Sequence, residues 1–188
     1  MTLLKTSLLL ALTAVAACAD SIIVTESIVT SGTLDGTAFT NALVTVHVFG
    51  DTGSVTSPLA GDFELIGVGG VNVAAVGADA FTDPMVAFVN QTGGFGGIFD
   101  QPTGFVIIDN LNAAFGTYAL NTSIGPLSGT SSGNPGQAFP TTRGTLVLNG
   151  PFNVDHPSTF AATTPEPGTL SLLGAAIGLL VLKRRTVR

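Results

Sequence analysis

The stretch Phe39 to Phe49 (FTNALVTVHVF) most constrains what this chain can fold into. It alternates with a period of two: Val44, Val46 and Val48 fall on one face, and Leu43, Thr45, His47 and Phe49 on the other. A β-strand sends successive side chains to opposite faces, whereas a helix would scatter these valines around its circumference. The all-valine face is expected inward and His47 outward. Segments of the same kind recur along the chain: Ser21–Thr30, Phe63–Gly67, Val71–Val76, Met85–Asn90, Phe95–Phe99, Phe105–Asp109, Gly116–Asn121, Arg143–Asn149 and Ser158–Ala162. Between them stand turn formers such as Gly32-Thr33-Leu34-Asp35-Gly36, Gly50-Asp51-Thr52-Gly53 and Gly67-Val68-Gly69-Gly70. Asn110–Gly116 is the one place that reads as a helical turn, with Asn110 as its cap. Gly125–Pro140 is the longest turn-rich region and reads as an exposed, mobile loop.

Short strands at this spacing predict an all-β body, an antiparallel β-sandwich or jelly-roll, over residues 20–162. The composition agrees. The chain is 45% hydrophobic and only 10% charged, with 24 Gly, 12 Phe and no Trp, enough apolar material for a core within 188 residues. Between residues 20 and 164 there are eleven acidic side chains and one cation, Arg143. Such a body cannot neutralise a row of phosphates, so a nucleic-acid partner is excluded. Cys18 is the only cysteine, which leaves the body no disulfide and no thiolate chemistry.

The candidate chemistry is weighed against plainer uses of the same residues. Asp51-Thr52-Gly53 matches the aspartic-protease string, but that chemistry needs two such aspartates and this chain has one copy; a turn needs Asp and Gly there anyway. Asp62 and Glu64 share one strand face, the neighbouring placement that glycoside hydrolysis uses, yet with one Tyr and no Trp the usual sugar-stacking rings are nearly missing and the phenylalanines read as core. Asp109-Asn110-Leu111-Asn112 and the loop from Asp79 to Asp83 resemble calcium loops but lack an EF-hand's Gly and terminal Glu. Gly93-Gly94-Phe95-Gly96-Gly97 lacks the Lys-Ser/Thr of a phosphate loop. Asn90-Gln91-Thr92 and Asn121-Thr122-Ser123 are formal glycosylation sequons. No enzyme activity, cofactor or metal site is expected.

Both ends of the chain carry sorting features. Residues 1–19 have Lys5, an apolar stretch from Leu8 to Ala17, and the small pair Ala17 and Ala19, the pattern of a secretory signal cut before Asp20. Val15-Ala16-Ala17-Cys18 also resembles a lipobox, so lipidation of Cys18 is the alternative. At the other end, residues 163–188 contain Pro165-Glu166-Pro167, an apolar run from Leu170 to Leu182, and the stop Lys183-Arg184-Arg185. That run is about 20 Å as a helix, shorter than a ~30 Å hydrocarbon core. The basic cluster orients it with the body outside the inner membrane. This three-part tail resembles the PEP-CTERM sorting signal, also known as the ice-binding protein C-terminal domain. The resemblance covers only Thr164 to Arg185. It implies recognition near Pro165-Glu166-Pro167 by an exosortase of a Gram-negative bacterium, transient residence in the inner membrane after signal peptidase has acted, and delivery to the cell surface or an exopolysaccharide matrix. The expectation is therefore a non-enzymatic exported surface or matrix protein. The alternatives are a secreted carbohydrate-binding module and a self-associating adhesin.

Overall fold

The computed structural model describes residues 21–165. The signal segment with Ala17 and Ala19, and the tail residues Glu166, Pro167, Lys183, Arg184 and Arg185, lie outside the described residues. Eleven strands form in order: β1 (Ser21–Leu34), β2 (Thr37–Asp51), β3 (Asp62–Val73), β4 (Gly77–Ala80), β5 (Met85–Asn90), β6 (Phe95–Asp100), β7 (Val106–Leu111), β8 (Ile124–Ser132), β9 (Ala138–Pro140), β10 (Thr145–Gly150) and β11 (Ser158–Thr163). Every named pairing is antiparallel. No helix among the described residues is long and apolar enough to cross a membrane.

The all-β antiparallel class is as the alternation predicts, but the strands close. Eight of them pair in the ring β1-β2-β3-β5-β6-β7-β8-β11, and β11 returns to β1 through Ile23↔Thr163 to Ser27↔Thr159. Spacing alone predicts two open sheets; here pairing removes the free edges that open sheets must otherwise protect. β3 supplies a corner: its residues 62–67 pair β5 and its residues 68–73 pair β2. β1 likewise leaves β11 and continues, past a register shift at Ser31/Gly32, along β10. At that end the antiparallel bridge Phe81↔Thr141 and the hydrogen bonds from Thr82 N to the Pro140 carbonyl (3.1 Å) and from Thr142 N to the Ala80 carbonyl (2.9 Å) join β4 to β9.

The ring encloses a packed core. Val44, Val46 and Val48 are fully buried and His47 is exposed, as the period of two predicts. Ile22, Val24 and Ile28 from β1, Leu65 from β3, Ile98 from β6, Ile108 from β7 and Phe160 from β11 join them in one apolar cluster. Phe160 packs edge-on against Phe115, with ring centroids 4.9 Å apart.

Four local expectations fail. Gly125–Pro140 is no loop: it supplies β8 and β9. β8 holds few apolar residues, so its sequence carries no alternation; it is a strand because β7 and β11 bond it from both sides, as in Asp109↔Ser132 and Ser158↔Gly129. Gly116–Asn121 is no strand, since a 3-10 turn occupies Ala113–Thr117 and irregular chain follows. Asn112 rather than Asn110 caps that turn, its side chain accepting from Ala114 N at 2.9 Å. Finally, Gly67-Val68-Gly69-Gly70 does not interrupt the chain. β3 runs through it, and the glycines admit close neighbours: a Cβ on Gly67 would stand 2.2 Å from the Phe49 carbonyl oxygen.

Candidate functional site

The outer face of β3, β5, β6 and β7 is a grid set by strand register. One row reads Asp62↔Asn90↔Phe95↔Leu111, the next Glu64↔Phe88↔Gly97↔Asp109, the third Ile66↔Val86↔Phe99↔Val106. The residues between them along each strand, such as Leu65, Val89, Ile98 and Asn110, are inward and buried. In the middle row Gly97 presents no side chain where its neighbours present large ones. A Cβ there would sit 2.5 Å from the Ile108 carbonyl oxygen, so the position is closed to other residues. On this face lies a groove of about 220 Å³, lined among others by Asp62, Glu64, Phe88, Phe95, Phe99 and Asp109.

Three phenylalanine rings surround Gly97 in the register. Phe88 meets Phe95 edge-on at 5.9 Å between centroids and meets Phe99 at 5.6 Å, and all three are half-buried rather than enclosed in the core. Three carboxylates border the rings: Asp62, Glu64 and Asp109. Asp62 is oriented by the Asn90 amide, which donates to it at 2.6 Å while its own oxygen accepts from Gly93 N. Burial raises the Asp109 carboxyl above the ordinary aspartate value, against the Ser132 hydroxyl and amide, which bond its charged form and lower it. The Glu64 carboxylate has no hydrogen-bond or ion-pair partner among the described residues. Chemically this is a stacking platform edged with hydrogen-bond acceptors. Ring faces and edges suit the C–H-rich face of a pyranose, and carboxylates accept from its hydroxyls.

The sequence placed Asp62 and Glu64 on one strand face, and the structure agrees. It did not place Asp109 with them, nor lift any phenylalanine out of the core. The available signal was the parity of Phe95, Gly97 and Phe99, which alternate with the inward Gly96 and Ile98. The other candidates separate. Asp51 accepts from Gly53 N at 2.7 Å and caps the turn Thr52–Ser54. Asp109 faces out, Asn110 in, and Asn112 caps, so that string does not converge on one point. No group of three His, Cys, Asp or Glu is placed to hold a metal ion among the described residues. Asn90 is engaged by Asp62 and Gly93, whereas Asn121 is exposed. Of the sorting-motif residues only Pro165 is described, and it is exposed.

A second polar feature lies inside the barrel. Glu26 alternates with Val24 and Ile28, so β1 drives it into the core opposite Phe160, where it is fully buried and neither oxygen has a hydrogen-bond partner among the described residues. Burial holds its pKa well above the ordinary glutamate value; the Ser158 side chain works against that and the Asp109 charge adds to it. Ser158 Oγ donates to the Asp109 carbonyl at 3.0 Å. Asn110, also fully buried, donates to the Leu127 and Ser158 carbonyls at 3.1 and 2.8 Å. Glu26 is thus a feature of the core. No family model, no curated protein and no solved structure matches this chain.

Proposed function

We propose that this chain is an exported, non-enzymatic protein of the cell surface or extracellular matrix whose barrel binds carbohydrate. Its export rests on Ala17 and Ala19. Its sorting by an exosortase-type system rests on Pro165-Glu166-Pro167 and Lys183-Arg184-Arg185. The observation that carries the binding role is the groove: Phe88, Phe95 and Phe99 around Gly97, edged by Asp62, Glu64 and Asp109. Half-exposed rings beside hydrogen-bond acceptors are what a sugar ring needs and what a purely structural surface does not. The barrel is also read as flattened into two sandwich-like layers, a reading supported by β3 and β8 each changing partner along their length.

Glycan-array binding of the full chain tests the role. Binding is expected, and Phe88→Ala with Phe99→Ala should abolish it while leaving the fold intact by circular dichroism. Absence of any glycan ligand, or binding untouched by both changes, would refute it. Mass spectrometry of the protein from its native host tests the sorting: the surface form should begin at Asp20 and lack Lys183-Arg184-Arg185.

A further inference from the structure

The groove's charge selects among sugars. Three carboxylates border about 220 Å³ of space, and no cation among the described residues lines it. The one arginine among the described residues, Arg143, is committed elsewhere, to Asp35 and Asp79. An acidic polysaccharide approaching this wall meets only like charge, and a neutral one leaves carboxylates to be desolvated against hydroxyls alone. A protonated amine on the sugar ring would supply the missing partner. Glu64, which has none among the described residues, lies in the same row as Gly97, and Asp109 closes the other end of that row across the Phe88 ring. The aromatic platform would hold the ring while the carboxylates at its two ends take up ammonium groups in charge-assisted hydrogen bonds, the stronger kind.

We infer that the groove is a site for an amine-bearing glycan, a polymer of deacetylated amino sugar, in preference to neutral, acetylated or acidic polysaccharides. This rests on the carbohydrate-binding reading. It also accords with the charge of the body, whose eleven acidic residues face a single cation between residues 20 and 164, so that the whole surface attracts such a polymer before the groove engages it.

The test is calorimetric titration of the full chain at about pH 6, where an ordinary amine is protonated. Four probes are compared: a glucosamine hexamer, its N-acetylated counterpart, a neutral β-linked glucose hexamer and hexalysine. The glucosamine hexamer should bind about tenfold more tightly than either other sugar, and added salt should erode that advantage by screening. Glu64→Gln should reduce it, weakening the glucosamine hexamer more than the acetylated one. Asp109→Asn should act the same way, and Glu64→Gln, on a half-buried side chain, carries the test if the Asp109 variant fails to fold. Equal affinity for the three sugars would overturn amine selection and leave carbohydrate binding standing. Hexalysine binding as tightly as the glucosamine hexamer would overturn it in favour of unspecific charge attraction. Failure of all three sugars would overturn the groove as a glycan site altogether.

Discussion

Arg143 Nε stands 3.4 Å from an Asp79 carboxylate oxygen, and with that contact it ties the turn after β9 to strand β4. The same nitrogen lies 3.6 Å from Asp35, in the turn between β1 and β2, and Arg143 Nη2 donates to the Ala78 carbonyl at 2.6 Å. Two separate pieces of chain thus converge on the guanidinium carried by a third. Hydroxyls complete the clamp: Thr142 donates to Asp79, and Thr141 to Asp35 at 2.5 Å.

The Thr142 hydroxyl, ahead of the backbone amides of Ala80 and Arg143 and the Arg143 side chain, holds the Asp79 carboxyl well below the ordinary aspartate range. A depressed folded-state pKa gives stability that is present above the unfolded value and lost as pH falls below about 4. Thermal melts from pH 7 to pH 2 should therefore show acid destabilisation that is smaller in Thr142→Val. Arg143→Ala should lower Tm at neutral pH by only a few degrees, because the guanidinium is largely exposed. A loss of cooperative unfolding in Arg143→Ala would show the clamp to be essential to the fold instead.

Glu26 acts in the opposite sense. Its folded-state pKa is raised, so its neutral form is tolerated at low pH and the stability is lost as pH rises through the unfolded value toward the folded one. Glu26→Gln should flatten the alkaline side of a stability profile recorded by urea denaturation. Glu26→Leu should raise stability by roughly 1–3 kcal/mol at neutral pH, the cost of burying polar atoms that find no partner. A destabilised Glu26→Leu barrel would mean that the carboxyl is satisfied by something other than the described residues.

Tyr118 is the only tyrosine and the chain has no Trp, so its ionisation can be read alone in the ultraviolet. Burial pushes the phenol far above its ordinary value, and its hydroxyl donates to the Thr122 carbonyl at 2.7 Å. Tyrosinate absorbance should not appear as pH passes 10, and should rise only together with the loss of β-sheet circular dichroism. A free titration near pH 10 in the folded protein would refute the enclosed position against Phe160.

Gly67 sits where β3 leaves β5 for β2. With the Phe49 carbonyl oxygen 2.2 Å from where a Cβ would lie, Gly67→Ala should cost about 1–3 kcal/mol in chemical denaturation, since backbone must move to admit it. Gly36→Ala is the useful contrast. Its site is open and its φ is +79°, so strain and not collision would set its cost.

Much of this molecule was legible in its residues. The valine parity at 44, 46 and 48 orients β2, and the same parity in Ser21–Thr30 already places Glu26 among Val24 and Ile28 on the inward face, because a strand's two faces are a local property of the backbone. Asp62 and Glu64 are neighbours for that reason too. What strands pair with is not local. β8 has no alternation to announce it and exists through its bonds to β7 and β11, the bonds that help close the ring. The groove is decided at the same level. Glu64, Phe88, Gly97 and Asp109 are far apart in the chain and become one row only through the registers of four strands. Sequence determined which way each side chain points along its own strand. Tertiary structure alone decided which side chains meet, because strand register is fixed by the hydrogen bonds and packing of the whole barrel and by no single stretch of chain.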